Sequence, residues 1–239
     1  MSDPNTNGER SLFLGYAGTM AAGTKLAMSR ADAVRNRRAL VDAAKRVFGR
    51  RGLDAPLDEI ARQAGIGNAT LYRHFPSRCA LIAAVFADTL EDVVAACDRA
   101  LANPDPWAGF REHVLFLCRM QAEDRGLADL LTMRVTGAPA LERLRERAFA
   151  SFNEVAARAK EAGALRRDFQ PEDLALLLMA NAGVIHRTTR RAPTAWRRVA
   201  GYTLDGLRAD AATDAAPPSP GLRAVRAAMA DQAAQLDCS

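Results

Sequence analysis

Asn68, Thr70, Tyr72, Arg73 and His74 place five hydrogen-bonding side chains within seven residues, and the small residues Gly67 and Ala69 stand among them. This set is poorly suited to acid–base or nucleophilic chemistry but well suited to contact with a nucleic acid. The phenol of Tyr72 and the imidazole of His74 can donate to phosphate oxygens while their rings pack on a scaffold. The Asn68 amide matches an adenine edge, and the Arg73 guanidinium matches guanine or a phosphate. Small side chains at Gly67, Asn68 and Ala69 permit close approach to base edges. The competing reading is a solvated helix face, the commonest reason for polar residues on a helix.

The flanking sequence says what would hold these groups in place. Leu57, Ile60, Ala61 and Ala64 recur at helical spacing and predict one short helix. Gly65 supplies a residue that leaves the helix with positive φ, and Ile66 turns back toward the core. A second helix is expected from Asn68 to about Phe75, where Pro76 forbids continuation. Two helices joined this tightly form a helix-turn-helix, whose second helix fits the major groove.

The runs Ala64-Gly65-Ile66-Gly67 and Thr70-Leu71-Tyr72-Arg73-His74-Phe75-Pro76-Ser77-Arg78 resemble the signature of the tetracycline-repressor (TetR) family. The similarity extends upstream through ALVDAAKRVFGRRGLDAPLDEIA and covers Arg30 to Phe86. It implies that Thr70, Tyr72 and His74 contact DNA and that Arg78 meets a phosphate at the start of the fourth helix. Many members carry Thr or Ser just before the second helix, where the hydroxyl caps it and reaches a phosphate. Here Ala55-Pro56 stand instead, with Pro56 suited to a first helical turn and Asp58 and Glu59 complementing the dipole.

Composition bounds the remainder. The 239 residues, 49% hydrophobic and 26% charged, suffice for one large or two small globular domains. No apolar run reaches the ~18 residues of a membrane span, so no membrane partner is expected. Met1 to Ser29 reads as a disordered leader or an over-extended start, being too weakly apolar and basic for a signal peptide. Cys79, Cys97, Cys118 and Cys238 form no CxxC pair, which predicts neither a zinc site nor a disulfide framework and suits a reducing cytoplasm. The net charge of +5 is unevenly placed: residues 30–79 hold eleven Lys or Arg against five Asp or Glu, while residues 80–239 hold 20 against 21. An arginine-rich composition alone would not create that asymmetry. A phosphate backbone is the partner it fits.

Everything beyond the helix-turn-helix also reads as helix. Ser29-Arg30-Ala31-Asp32 resembles a capping box for the first helix, whose stripe is Leu40, Ala43, Ala44, Val47 and Phe48. Ser77 can cap a long fourth helix carrying Leu81, Ile82, Val85, Phe86, Thr89, Val93 and Cys97, broken at Asn103-Pro104-Asp105-Pro106. That helix starts in the DNA-binding unit and ends in the next one, so it can transmit motion. Later segments are expected around Phe110 to Cys118, Leu127 to Val135, Leu141 to Ala159, Leu174 to about Arg190, and Thr194 to about Ala211. A Pro-rich linker and a weakly amphipathic tail, Leu222 to Leu236, close the chain. The segment AGALRRDFQPEDLALLLMANAG also resembles the carboxyl-terminal domains of SbtR-like regulators.

The reading is all-α: a three-helix helix-turn-helix domain at residues 30–86, then a helical-bundle ligand-binding and dimerisation domain at 87–211 and a tail at 212–239. Trp107, Phe110, Phe116, Met120, Met133, Phe149, Phe152 and Met179 are spaced as helical core, but soft and aromatic residues also line ligand pockets. The candidates for an effector pocket are Phe110, Phe116, Met120, Phe149, Phe152 and Met179, with Asn181 and His186 as polar groups. His113 and His186 lack a second ligand at metal spacing, so no metal or other cofactor is called for. The helices from Leu174 and from Thr194 are expected to form a four-helix interface in a homodimer, because Leu174, Leu176, Leu177, Leu178 and Met179 encircle the former. Partners are then double-stranded operator DNA and an unidentified small-molecule effector. A DNA-binding architectural or recombination protein without effector stays open. A helical enzyme lacks an ExxH pair, a nucleophile motif or a phosphate-binding glycine loop.

The charge placement generates a test. DNA affinity should fall by orders of magnitude between ~50 and ~200 mM salt, since two basic units on one duplex displace many counterions. Gel shifts insensitive to salt would contradict it.

Overall fold

The computed structural model describes residues 30–135 and 137–236, and the expected Ser29 cap, the leader and Cys238 lie outside them. The described chain folds as α1 (Arg30–Arg51), α2 (Leu57–Ala64), α3 (Asn68–His74), α4 (Arg78–Ala102), α5 (Pro106–Glu123), α6 (Arg125–Thr132), α7 (Pro139–Glu161), α8 (Asp173–Thr188), α9 (Ala195–Leu207) and α10 (Leu222–Ala233). A single isolated antiparallel bridge, Leu165 to Arg208, is the extent of strand pairing among the described residues.

Capping explains the breaks. Ser77 Oγ accepts from Ala80 N at 3.2 Å and starts α4. Asp105 accepts from Trp107 N at 2.8 Å and Ala108 N at 3.1 Å, with Pro106 in the first turn of α5. Asp124 accepts from Leu127 N at 2.8 Å and starts α6. Where α9 was expected to run to about Ala211 it stops at Leu207, because Arg208 turns extended to bridge Leu165 and the Ala209 N–H donates to Ala164 O at 3.0 Å.

Two hydrophobic cores form. The first joins Leu40, Val47, Phe48, Ile60 and Leu71 to Leu81, Ile82 and Phe86 of α4. The second joins Val93, Cys97 and Ala100 of α4 to Phe110, Phe152, Phe169, Leu178 and Trp196. Phe110 sits at the centre of an aromatic cluster, 5.9 Å from Phe152 and 5.6 Å edge-on from Phe169. The division in sequence at Phe86 is not a seam in packing, for the first core also takes in Leu127 and Leu130 of α6.

Two expectations change and a third gains a packing partner. Leu178 does not serve a dimer face: it is buried in the second core, whereas Leu176 points outward, since a 16-residue helix turned apolar all round still presents one side to its own bundle. The tail expected to be weakly amphipathic forms α10, and its apolar face is docked: Val225, Met229 and Ala233 are buried, as is Leu236 beyond it. Cys79 is disulfide-bonded, where the sequence predicted no disulfide framework; Cys97 and Cys118 are free and buried.

α5 crosses the end of α4 so closely that a Cβ at Gly109 would fall inside contact distance of the Ala100 carbonyl oxygen and 3.3 Å from Asn103 Cβ. Gly109→Ala should therefore destabilise the fold by about 1–3 kcal/mol, despite the ~1 kcal/mol that alanine gains in helix propensity. Urea unfolding reads the difference, and an equal or higher midpoint would show that the two backbones can separate at no cost.

Candidate nucleic-acid interface and ligand cavity

Seven residues make α3, and two apolar anchors hold it. Leu71 and Phe75 are buried in the first core, four residues apart on one face. Gly65 takes φ 68° at the end of α2, and its N–H and that of Ile66 satisfy the last carbonyls of that helix. Anchoring one side of α3 leaves Asn68, Ala69, Tyr72 and Arg73 exposed on the other, with Tyr72 51% exposed. Gly67 caps the helix in extended conformation, and Thr70 is half-buried. The structure thus brings Gly67, Asn68, Ala69, Thr70, Tyr72, Arg73 and His74 onto one short element.

The details sharpen several roles. Asn68 Nδ2 donates to Asp58 Oδ1 at 2.8 Å, which orients the amide and ties α3 to the first turn of α2. Arg73 Nη2 lies 3.4 Å from Thr70 Oγ1. His74 is half-buried with Nε2 shielded and without a hydrogen-bond partner, so an outside acceptor would meet Nδ1 unless the ring turns. Arg78, expected at a phosphate, is engaged within the chain. Its Nη1 donates to Leu53 O at 2.9 Å and Ala55 O at 2.6 Å, stapling the α1–α2 connection to the start of α4. Pro56 precedes α2 with no side-chain cap.

One candidate was missed. Arg37 on α1 is exposed and its guanidinium lies 5.0 Å over the Phe75 ring, which places a cation beside the end of α3. The charge run Arg35, Arg37 and Arg38 was the signal, but nothing in a run says which member faces the neighbouring helix.

A cavity of about 120 Å³ lies in the carboxyl-terminal unit. Val93 of α4, Leu117 of α5, Phe149 and Phe152 of α7, and Leu174 and Leu178 of α8 line it, and α10 closes one side. Of the expected pocket residues, Phe149 and Phe152 reach this cavity. Phe110 is core behind Phe152, Met120 packs between the two cores, and Phe116 stands beside His113 in a shallower hollow. Met179 is half-buried off the lining. Asn181 is committed to structure, donating to Gln121 Oε1 at 2.8 Å and Cys118 O at 3.3 Å, while His186 is exposed on α8. His113 is buried among the rings, 5.6 Å from Phe152, and touches the edge of the cavity. Among the described residues no group of three or more His, Cys, Asp or Glu could hold a metal, and no helix is long and apolar enough to cross a membrane.

Both halves of the chain have relatives among known proteins. Residues 40–85 match the family described as bacterial regulatory proteins, tetR family, and residues 105–209 match the SbtR-like transcriptional regulator carboxyl-terminal domain. The SCO0520 TetR regulator of Streptomyces coelicolor is 32% identical over 72% of this chain and 98% of its own, with a TM-score of 0.48. The chain belongs to the TetR family. It is a DNA-binding transcriptional regulator, as its family is, and its structural neighbours are regulators and not enzymes. A shorter match, 41% identical over 58 residues, joins it to the HTH-type regulator TtgW of Pseudomonas putida; it spans 24% of this chain and 43% of that protein. FadR of Bacillus subtilis, solved with stearoyl-CoA, is 12% identical with a TM-score of 0.55 over 71% of this chain and 96% of its own, a likeness of fold alone.

Burial holds the His113 imidazole down at about 4, against an ordinary 6.5, opposed in part by a hydrogen bond to the Ala96 backbone. The imidazole is neutral in the folded protein, so its contribution to stability is present above about pH 6.5 and is lost as pH falls toward 4. At about 1.4 kcal/mol per unit the loss approaches ~3 kcal/mol. Asp124 and Asp129, whose carboxyls burial pushes upward, act with the opposite slope. The stability of the parent relative to His113→Asn should therefore decline between about pH 7 and pH 4, and a pH-independent difference would mean that His113 takes up its proton freely in the fold.

Proposed function

We propose that the chain is a repressor that binds a palindromic operator as a homodimer and is released by a small molecule. Residues 30–86 would read DNA, and residues 87–211, with α10 closing the cavity, would bind the effector and dimerise. The observation that carries this reading is the position of Val93. It lines the cavity and belongs to α4, the helix whose other end is fixed beside α3. An occupant that reshaped the cavity would press on the helix that sets the placement of the reading head. Release then requires the effector to prefer the arrangement that does not fit the operator, typically by about 1–3 kcal/mol of coupling. An architectural protein without effector has no use for such a cavity, so the cavity favours the regulated reading.

Asn68 and Arg73 would read bases. Tyr72, His74 and Arg37 would hold phosphates, Thr70 would approach the backbone, and Gly67 and Ala69 would let α3 sit deep. Arg78 would position rather than touch. A recognition helix of two turns gives limited specificity, and doubling it on a two-fold axis calls for half-sites about 34–36 Å apart or a multiple of that. The surface supports the two-fold. Among the described residues, Leu176, Val199 and Tyr202 are exposed large hydrophobics on α8 and α9, at 39%, 38% and 60%. Their monomer faces are satisfied by Leu178, Trp196 and Leu204.

Gel shifts on operator variants separate the roles. Tyr72→Phe and His74→Ala should weaken binding nearly equally on all sequences. Asn68→Ala and Arg73→Ala should relax one or two base pairs, each by about 1–3 kcal/mol. Parent-like binding by all four would remove α3 as the reading helix. For the dimer, Leu176→Glu with Val199→Glu should sediment as a folded monomer with lost operator affinity; an unchanged dimer would place the interface elsewhere.

A further inference from the structure

The cavity has a wall that the family match does not include. α10 begins at Leu222, beyond residue 209 where the SbtR-like match ends, yet it contributes Val225, Arg226 and Met229 to the lining. The docking of α10 is specific. The Arg134 N–H donates to Met229 O at 2.9 Å. Arg226 pairs with Glu146 at 2.7 Å and lies 5.4 Å over the Phe149 ring. The linker before α10 is held where Ser219 Oγ donates to Glu172 Oε1 at 2.7 Å. Backbone, ion pair, ring face and hydroxyl thus fix one helix against one opening.

Resting on the reading of this cavity as the effector site, we infer that its ligand is an uncharged, compact, largely apolar molecule on the scale of one aromatic ring, and that α10 is the wall that sets that size. Volume is the first argument. About 120 Å³ compares with the ~150 Å³ apolar cavity that accommodates benzene. The side chains facing it from the bundle are Val93, Leu117, Phe149, Phe152, Leu174 and Leu178, which offer dispersion contacts and little else.

Charge is the second argument. Three arginines and two glutamates line the rim, and Glu142 pairs with two of the arginines, so each charge has a partner. Arg134 holds Glu142 at 2.9 Å and Glu146 at 3.6 Å. Arg145 Nε faces Glu142 Oε1 at 3.5 Å as an ion pair without a hydrogen bond, and Arg145 Nη2 donates to Leu130 O at 2.6 Å. Arg226 takes Glu146, and Ser219 takes Glu172. A charged ligand would have to displace one member of this network, and at Arg145 and Glu142, each 17% exposed, that would strand a partner largely away from water. His113, the remaining titratable group in the lining, faces the Cys97 thiol at 3.6 Å and the Ala96 backbone and is neutral. It can serve a ligand hydroxyl but not balance a charge.

The experiment uses the full-length protein without DNA and four probes read by calorimetry: toluene, its charged counterparts benzoate and benzylamine, and naphthalene. Toluene should bind, benzoate and benzylamine at least about tenfold more weakly, and naphthalene not measurably. Met229→Ala should open the α10 side and raise naphthalene affinity relative to toluene at least about tenfold. Val225→Ala should do the same if the first variant is poorly folded by circular dichroism. Benzoate or benzylamine binding as tightly as toluene would overturn the charge argument. An unchanged naphthalene-to-toluene ratio in both variants would overturn the wall, and failure of every probe would overturn the inference as a whole. Operator release is scored separately. Toluene binding without release would sink the effector reading and leave this inference standing, whereas release by some other molecule with no toluene binding would do the reverse.

Discussion

One helix is built into two cores, and the rest of the molecule depends on that constraint. The amino-terminal half of α4 supplies Leu81, Ile82, Val85 and Phe86 to the core behind the helix-turn-helix, and its carboxyl-terminal half supplies Val93, Cys97 and Ala100 to the core around the cavity. Both are packed interiors, which tolerate discrete rearrangement far better than continuous deformation. At 25 residues α4 is roughly 37 Å long and continuous in its hydrogen bonding, so a rotation imposed at one end arrives at the other. The caps on either side sharpen this. Ser77 fixes where α4 begins, three residues after α3 ends, and Asn103 turns extended before the next proline.

A second tie runs parallel to α4 through a single residue. The Leu53 N–H donates to Asp129 Oδ2 at 2.9 Å, and the Leu53 carbonyl accepts from Arg78. The loop after α1 is thereby gripped from α6 on one side and from the base of α4 on the other. α6 approaches α1 closely enough that a Cβ at Gly126 would lie 2.9 Å from Phe48 Cβ and 3.0 Å from Phe86 Cζ. Burial pushes the Asp129 carboxyl up because its charge is held largely out of water by this contact. Opening the α1–α6 seam would therefore free a carboxylate to hydrate and leave the Leu53 N–H without its partner, two effects of opposite sign. Closure of this seam is consequently a balance between opposing contributions rather than a sum of favourable ones. By linkage, whatever the cavity does to DNA affinity, DNA does to the cavity.

What the sequence displayed was local. The α1 stripe of Leu40, Ala43, Ala44, Val47 and Phe48 is buried as spaced, Gly65 is left-handed as its position requires, and α3 ends one residue before the expected Phe75. Each of these is decided within a turn or two of chain. The misread features depend on what a residue meets across space. Arg78 lies in a signature, yet a guanidinium can serve a phosphate or a carbonyl, and only the returning α1–α2 loop reveals that its Nη1 is spent on carbonyls. Leu176 and Leu178 are indistinguishable by type, and the bundle takes one while leaving the other outside. Val225, Met229 and Ala233 show a four-residue period that promises one apolar face, but the cavity that this face covers is assembled from helices far earlier in the chain.

Arginine is handled in two opposite ways along the chain, and the difference reflects the partner each region is suited to meet. The helix-turn-helix segment carries an excess of six positive charges, exposed along α1 and around α3, which self-repulsion makes mildly unfavourable in the free protein and which a polyanion would neutralise. The cavity rim carries three arginines as well, but each faces glutamate at 3.5 Å or less, and the site has no formal excess. Unbalanced charge is tolerable in the first region because water and counterions screen it until a duplex arrives. In the second, where Arg145 and Glu142 are largely shielded, an unpaired ion would lose hydration that nothing else replaces. Pairing at the rim is thus a condition for keeping an apolar cavity beside so arginine-rich a chain, and it lets a single net charge of +5 act almost wholly at the DNA-binding end.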